Sequence, residues 1–151
     1  ALELMYNEED QTYYSRTWED HDFIKTKTFY QYMPLYAGTV SAAKAKKIVD
    51  DLKQNQILGA NLQVPTVPID SKNFRENRYW EGPAWPMVNW FIYQGLSRYG
   101  FKTEADQLKQ QTLIAIEDAG FGEYFNVFSS APLGVKNFSP TAGIALSLMS
   151  E

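Results

Sequence analysis

The chain has 151 residues, which is enough for one ordinary domain with a hydrophobic core. It contains no cysteine, which excludes disulfides, thiol catalysis and thiolate metal sites. Fourteen basic and 18 acidic residues give a formal charge of −4, and the basic residues are scattered, so we expect no nucleic-acid partner.

The first ten residues, ALELMYNEED, are typical of the end of a helix, so we expect the chain to begin inside a larger domain. They lack the basic start and the continuous apolar stretch of a signal peptide. No apolar run in the chain approaches the length of a membrane span. We therefore expect no membrane partner. The residues leave the compartment open, and a cytoplasmic location is our expectation.

The segments QTYYSRTW and DFIKTKTF flank the turn EDHD and predict two short strands of a hairpin. The single histidine, His21, lies in this polar turn, where we expect a solvated loop residue. One histidine cannot build a histidine-rich metal site. We expect neither a metal ion nor a cofactor.

From Thr28 the apolar spacing becomes helical and continues to Gly38, and Ser41 then opens a second helix. The apolar positions of the second helix are Ala45, Ile48, Val49 and Leu52. We expect the two helices to form a helical hairpin. Residues 55–78 contain prolines and no sustained period, which predicts a long loop, and such loops are usually functional.

Three more helices follow the loop. The first runs from Pro86 to Tyr99 and ends at Gly100. The second starts at Thr103, which forms a variant of the capping box with Asp106, and ends at Gly120. The last begins with Ser139 as N-cap and Pro140 at the first helical position. The apolar positions of the first two are Trp85, Val88, Ile92, Leu96 and Tyr99, then Leu108, Leu113, Ile114 and Ala115.

The pattern predicts an all-α fold in a single domain, residues 1–151. It contains five helices and a helical stub, paired as hairpins, with short β-hairpin and loop insertions. Aromatic residues make up 15% of the chain and concentrate in irregular segments such as YWEGPAWPMVNWFIY at 79–93 and FGEYFNVF at 121–128. Such clusters suit a core, and they also suit a platform for sugar rings.

Glu123 is a lone carboxylate in the aromatic segment GFGEYF. Because carboxylates are costly to desolvate, an acid among aromatic rings is either at the surface or held there for chemistry. Residue propensity alone favours a surface glutamate just after a helix end.

The segments YWEGPAWPMVNWFIYQGLSRYG, GFGEYFNV and PLGVKNFSPTAGIALSL together resemble the C-terminal part of the glycoside hydrolase family 63 catalytic domain. This group includes mannosylglycerate and glucosylglycerate hydrolases and processing glucosidases, and trehalases are related more loosely. YYSRTWEDHDFIKTKTFYQYMPLYAG and VPTVPIDSKNF are also similar, so the resemblance covers nearly the whole chain. It implies half of an (α/α)6 toroid, with the N-terminal half absent and the sugar bound at one mouth.

The resemblance implies an inverting α-glycosidase that acts on a glucoside or mannoside, with Glu123 as the general base. The general acid of the family is an aspartate in the N-terminal half, which has no match here. Asp70, Glu76 and Glu81 are the local substitutes, and each is more simply a loop charge. We therefore expect the isolated chain to be inactive.

The resemblance also implies a set of substrate-binding residues: Trp80, Glu81, Gly82, Trp85, Asn89 and Tyr124. Core packing explains Trp85 equally well, and Asn89 could equally be a solvated helical side chain. Glu81 departs from the pattern, because the family usually has arginine there. An ionised glutamate only accepts hydrogen bonds, so contacts with sugar hydroxyls must be reversed or lost.

Two other functions remain open, a noncatalytic carbohydrate-binding helical module and a helical-repeat scaffold. A half toroid also has cut edges, where we expect open apolar faces. The expected faces are Phe29 with Met33 and Ile144 with Leu148. Besides a carbohydrate substrate, we therefore expect self-association or pairing with the missing N-terminal half.

Overall fold

The computed structural model describes residues 2–54 and 63–151. Its five α helices are α1 Met33–Ala37, α2 Ala42–Gln54, α3 Pro86–Arg98, α4 Lys102–Ala119 and α5 Ser139–Ser150. Antiparallel strands pair as β1 Tyr6–Asn7 with β2 Thr12–Tyr13, β3 Ser15–Arg16 with β4 Phe23–Ile24, and β5 Tyr124–Phe125 with β6 Pro132–Leu133. The predicted helical fold with short β insertions is confirmed, while part of the predicted loop, residues 55–62, lies outside the described residues.

The predicted hairpin is the β3–β4 pair, in which Arg16 lies opposite Phe23. The Arg16 guanidinium sits 3.8 Å from the centre of the Phe23 ring. The prediction of a helix end for the first ten residues is only partly right, because a single 3-10 turn, Leu2–Met5, leads directly into β1. Asn7 accepts a 2.7 Å hydrogen bond from the Asp10 amide and so stabilises the turn before β2.

The predicted helix from Thr28 to Gly38 is only partly right, because a 3-10 turn, Phe29–Tyr32, precedes the short helix α1, whereas the predicted end at Gly38 and the predicted start of α2 after Ser41 hold. Gly38 ends α1 with a φ of 67°, a left-handed conformation that glycine adopts without strain. The Ser41 hydroxyl accepts a 3.3 Å hydrogen bond from the Lys44 amide and caps α2. The predicted apolar stripe of α2 is buried, and it consists of Ala45, Ile48, Val49 and Leu52.

The predicted hairpin between the first two helices is wrong, because α1 packs mainly on α3. The contact is close: a Cβ atom on Gly95 would lie 2.6 Å from the Leu35 Cβ and 2.7 Å from the Tyr36 amide nitrogen. The five residues of α1 are too few to lie along α2, whereas the bare backbone at Gly95 lets α1 settle on α3. Helix α3 also contacts α4 and α5, and it is therefore the centre of the fold.

Two predicted helix starts are shifted. Helix α4 begins at Lys102 with Phe101 as N-cap, and α5 begins at Ser139 with Phe138 as N-cap, and neither has a side-chain capping bond. Phe101 packs against the core, and the Phe138 amide donates a 2.8 Å hydrogen bond to the Phe121 carbonyl. Packing and backbone contacts therefore set these starts, where the sequence favoured polar caps.

The main core surrounds α3 and receives side chains from α1, α2 and α4. Its fully buried members include Leu35, Val49, Leu52, Val88, Ile92, Leu96 and Leu108. A smaller cluster joins α4, α5 and β5 through Ala115, Ile116, Phe125 and Ala145. Ile114, predicted to be apolar and inward, is instead 54% exposed.

The predicted open faces are also wrong. Phe29 and Leu148 are buried, and Met33 and Ile144 are partly buried against the core. The described part of the chain contains no helix that is both long and apolar enough to cross a bilayer. The cytoplasmic location expected from the sequence stays a prediction.

Candidate active site

Three irregular segments cross at Ala84. Its backbone exchanges two hydrogen bonds with Phe125, of 2.9 and 2.8 Å, and forms an antiparallel bridge with Pro65. The crossing brings together the loop before α3, the segment that contains Glu123, and the described end of the long loop. These backbone bonds therefore fix the relative positions of three segments that are far apart in the sequence.

Thr66 fixes the crossing from one side. Its amide and its hydroxyl both donate to the Pro83 carbonyl, at 3.2 and 3.1 Å, and its carbonyl accepts from the Phe29 amide. The Thr66 hydroxyl also accepts a 3.1 Å bond from the Gly82 amide. A Cβ atom on Gly82 would lie 2.3 Å from the Arg75 carbonyl oxygen, so only glycine fits there. Gly82, predicted to bind substrate, thus has a clear backbone role.

Asn126 fixes the crossing from the other side, and all of its side-chain bonds are internal. Its amide nitrogen donates to Glu76 Oε1 at 2.8 Å and to Asn77 Oδ1 at 2.7 Å. Its oxygen accepts from the amides of Phe128 and Ser129, at 2.8 and 3.0 Å. The buried Asn126 side chain therefore ties the loop before Trp80 to the segment after Glu123.

The aromatic residues form a column of stacked rings. Trp80 and Trp85 are 3.9 Å apart and nearly parallel, Tyr124 stacks on Trp85 at 5.0 Å, and Phe29 stacks on Trp80 at 5.8 Å. Trp80 is 37% exposed and stacks on both Phe29 and Trp85, so part of its ring is covered by protein.

Tyr79 completes this aromatic site, although the sequence did not indicate it. Its ring lies edge-on to Trp80, Trp85 and Tyr124, at 5.7, 5.1 and 5.5 Å. Its carbonyl accepts a 3.2 Å hydrogen bond from the Trp85 indole, and its φ is 35°. The only signal in the sequence was its place beside Trp80. Burial raises the pKa of the neighbouring Tyr124, whose phenol therefore stays protonated at neutral pH.

Glu123 is half-buried beside this column. Its Oε2 accepts a 3.0 Å hydrogen bond from the Val135 amide, and its own amide donates to the Val135 carbonyl at 3.0 Å. The side chain lines a cavity of about 100 Å³ together with Trp85. The other lining residues are Met87, Phe138, Pro140, Thr141 and Ile144. The structure thus gives Glu123 and Trp85 a common cavity.

The other two predicted binding residues lie elsewhere. Glu81 is about half exposed and pairs with Arg78, whose Nε lies 3.3 Å from its Oε1. Asn89 is buried, its oxygen accepts from the Val64 amide at 2.8 Å, and its nitrogen donates to the Trp85 carbonyl at 3.1 Å. Asn89 therefore holds the segment at Val64 against α3, and its amide group is already engaged on both sides.

The local carboxylates considered as acids also lie outside the cavity that Glu123 lines. Asp70 lines a separate surface depression, and Glu76 accepts the bond from Asn126. His21 lies in the exposed turn of the β3–β4 hairpin, as predicted. Within residues 2–54 and 63–151, no group of three or more histidine and acidic side chains is placed to hold a metal ion.

Comparison with known proteins now identifies the family. Residues 1–141 match the model of the mannosylglycerate hydrolase MGH1-like glycoside hydrolase domain. This chain belongs to that family. A mannosylglycerate hydrolase of Thermus thermophilus is 32% identical over 146 residues, 97% of this chain and 35% of the relative. A glucosylglycerate hydrolase of Mycolicibacterium hassiacum is 30% identical over 128 residues, 82% of this chain and 29% of the relative. The chain thus spans about a third of the length of these family members.

Solved structures agree with this assignment. The glucose complex of a GH63 mannosylglycerate hydrolase from Thermus thermophilus matches with a TM-score of 0.90 and 32% identity, over 99% of this chain and 37% of that protein. A neutral trehalase from Saccharomyces cerevisiae matches with a TM-score of 0.74 and 17% identity, over 98% of this chain and 28% of the trehalase. The second match shows the shared helical fold alone.

Proposed function

We propose that this chain supplies the base-bearing half of the catalytic domain of an inverting α-glycosidase that hydrolyses a glucoside or mannoside. The observation that carries the proposal is the cavity that Glu123 shares with Trp85 in a chain of this glycoside hydrolase family. Glu123 is the general base. The named activities of the relatives favour a small glycoside, such as a hexose linked to glycerate.

In the proposed reaction a water molecule attacks the anomeric carbon from the face opposite the departing oxygen. Glu123 takes the proton of that water, the bond from the anomeric carbon to the glycosidic oxygen breaks, and the departing oxygen takes a proton from a carboxylic acid. Inversion needs the two carboxyl groups about 6.5–9.5 Å apart, which leaves room for the water. The Val135 amide occupies Glu123 Oε2, so Oε1 is the atom that faces the water.

The general acid comes from a second segment outside this chain, as the family resemblance implies, and Asp70, Glu76 and Glu81 do not line the cavity that Glu123 lines. We call this chain together with that segment the assembled enzyme, whether the two form one polypeptide or two. The isolated chain then lacks turnover, since general acid help is worth about 10²–10⁴-fold.

In the assembled enzyme, this chain is one domain that forms the C-terminal half of an (α/α)6 toroid. The chain covers only 35% of the length of the Thermus relative. A groove of about 680 Å³ between α4 and α5 is the surface that the remainder, or a second copy, covers. The groove is lined mainly by apolar side chains, including Leu113, Ile116, Phe121, Ala145, Leu146 and Met149.

Sugar recognition in this proposal uses the exposed end of the aromatic column. The partly exposed rings of Trp80 and Tyr79 contact the sugar, and ring contacts with Trp85 and Tyr124 hold them in place. The pair of Glu81 with Arg78 supplies an acceptor and a donor for hydroxyl groups. Arg78 thereby provides a guanidinium close to the position at which the resemblance leads us to expect one.

The test is Glu123→Gln in the assembled enzyme, with Glu81→Gln as the comparison. The amide keeps the shape of Glu123 but cannot take the proton, so we expect kcat to fall on the order of 10²-fold or more with KM nearly unchanged. Glu81→Gln should alter KM or sugar preference and leave kcat near the wild-type value. Normal turnover by the Glu123→Gln variant would remove Glu123 from the mechanism.

A noncatalytic carbohydrate-binding module is the second candidate. It is favoured by the absence of any second carboxylate from the lining of the Glu123 cavity, as far as the described residues go. Titration calorimetry of this chain with glucose, mannose and their glycerate conjugates separates the two functions. A binding module holds sugar on its own, whereas half of an enzyme site needs the second segment before it binds.

A further inference from the structure

The loop between β6 and α5 reaches back to Glu123 and touches it at three points. The Val135 amide donates to Glu123 Oε2, and the Val135 carbonyl accepts from the Glu123 amide. The third point is Gly134, which lies against the same carboxylate and against the Tyr124 ring. Both the backbone and the side chain of Glu123 are thus fixed by two adjacent residues.

Gly134 is required here for two separate reasons. Its φ is +70°, a conformation that residues with a Cβ atom rarely adopt. A Cβ atom at this position would also lie 2.5 Å from Glu123 Oε2 and 2.6 Å from Tyr124 Cε1. The close approach of the Gly134 backbone to the carboxylate is therefore possible only without a side chain.

Val135 acts through its backbone and not through its side chain. The residue is 57% exposed, so the valine side chain contributes little packing. Its amide is a donor to the Glu123 carboxylate, and a hydrogen bond to a carboxylate is stronger than one between neutral groups. A substitution at Val135 that removes the amide hydrogen should therefore lower kcat much more than one that keeps it.

We propose that Gly134 and Val135 are positioning residues for Glu123 and hold its carboxylate at one angle, with Oε2 bound and Oε1 directed at the attacking water. The inference rests on the proposed role of Glu123 as general base. A displacement of about 1 Å at a reacting group can cost on the order of 10²-fold in rate. Neither residue lines the cavity that Glu123 shares with Trp85, so both act on kcat through Glu123.

The first experiment compares Gly134→Ala with Gly100→Ala in the assembled enzyme. Gly100 has a φ of +81° and no atom within 4 Å of the added Cβ position, so its variant carries the same backbone strain without the contact. We expect both variants to lower the melting temperature, and Gly134→Ala to lower it more, because its Cβ also meets Glu123 and Tyr124. Only Gly134→Ala should lower kcat, on the order of 10²-fold, with KM nearly unchanged.

The second experiment compares Val135→Pro with Val135→Ala and decides the question if Gly134→Ala does not fold. Proline lacks the amide hydrogen that Glu123 Oε2 accepts, whereas alanine keeps it. We expect Val135→Pro to lower kcat roughly 10-fold or more, the cost of one hydrogen bond to a charged group. Val135→Ala keeps this amide, so its kcat should fall far less than that of Val135→Pro.

The outcomes separate this inference from the proposed function. If Glu123→Gln is inactive while Val135→Pro and Gly134→Ala turn over normally, Glu123 is the base and the positioning role is wrong. Equal kcat losses in Gly134→Ala and Gly100→Ala would also overturn the positioning role, because strain alone would explain them. A fully active Glu123→Gln variant overturns both the proposed base and the inference.

Discussion

Two regions of this chain differ in how they are held. The crossing of Pro65, Ala84 and Phe125 has almost no regular secondary structure, yet its residues are buried and joined by backbone bridges. Helices α4 and α5 are regular throughout, yet Leu146 is 70% exposed and Met149 is 72% exposed. In this molecule the irregular region is therefore closed, and the regular region is open on one side.

A buried irregular region beside an exposed apolar helix face is the arrangement expected of part of a larger domain. An irregular segment can hold its side chains in fixed positions when its backbone polar groups are hydrogen-bonded. In the crossing, the side chains of Thr66 and Asn126 form such bonds with neighbouring backbone groups. Regular helices satisfy their own backbone and can present an apolar face to a neighbour without any unpaired group. The crossing thus fits a site, and the groove between α4 and α5 fits a contact surface.

The largest effect on folding should come from Asn126→Ala, which tests whether the crossing is held by its polar network. The substitution removes two donated and two accepted hydrogen bonds in a buried place. We expect the free energy of unfolding to fall by about 3 kcal/mol, since each buried group left unpaired costs about 1–3 kcal/mol. Urea denaturation measures this, and Asn73→Ala, at an exposed asparagine, is the control. Equal losses in the free energy of unfolding at the two positions would show that the hydrogen bonds of Asn126 do not stabilise the crossing.

The next effect should come from Gly95→Ala, which tests the packing of α1 on α3. An added methyl group would meet Leu35 and the Tyr36 backbone, so we expect a loss of about 2 kcal/mol from overpacking. The matched control is Gly143→Ala in α5, where no atom lies within 4 Å of the added position.

At Gly143 the higher helix propensity of alanine should instead raise the free energy of unfolding by up to about 1 kcal/mol. The two variants therefore change stability in opposite directions in the same denaturation experiment. Stabilisation of the chain by Gly95→Ala would contradict the close contact between α1 and α3.

The sequence could predict the helices better than their partners. The stripe on α2 follows from residue spacing, because its members lie on one face of any helix. The docking of α1 on α3 depends on Gly95, and an isolated glycine inside a helical pattern does not reveal which backbone approaches it. The start of α4 was misplaced for a similar reason, since the packing of the partly buried Phe101 against the core outweighed the capping signal at Thr103.

The candidate site shows the same limit. Glu123 could be selected because a carboxylate among aromatic residues is unusual, and the resemblance then gave it a role. Its contacts with Gly134 and Val135 could not be predicted, because they join residues through backbone atoms that carry no sequence signal. Asn126 was missed since its four partners lie in two loops whose proximity only the fold establishes.

The double variant Leu146→Glu with Met149→Glu tests whether the exposed apolar groove between α4 and α5 is a contact surface. Charges on this face should abolish the self-association expected for the isolated chain, while the free energy of unfolding changes by about 0.5 kcal/mol or less per site. Sedimentation velocity at high micromolar concentration measures the association. Leu4→Glu is the control, because Leu4 is as exposed as Leu146 but does not line the groove. A wild-type chain that is monomeric under these conditions would contradict self-association through the groove.

The smallest effect concerns the ion pair of Lys53 at the end of α2 with Glu104 at the start of α4. The hydrogen bond from Lys53 lowers the pKa of Glu104 below its usual value of 4.5. A lowered pKa means that the folded state binds the proton less tightly than the unfolded state. The stabilisation is therefore complete above pH 4.5 and is lost as the pH falls through the lowered pKa.

Glu104→Gln should consequently be slightly less stable than wild type at pH 7, and the difference should disappear on acidification, when the wild-type carboxyl is protonated. Thermal unfolding of both proteins from about pH 7 to about pH 2 measures this convergence. Glu9→Gln, which breaks the more exposed pair with Lys25, is the control and should change stability less at neutral pH. Because the Lys53–Glu104 pair joins two helices on the regular side of the molecule, a constant difference across this pH range would mean that packing, and not charge, joins them there.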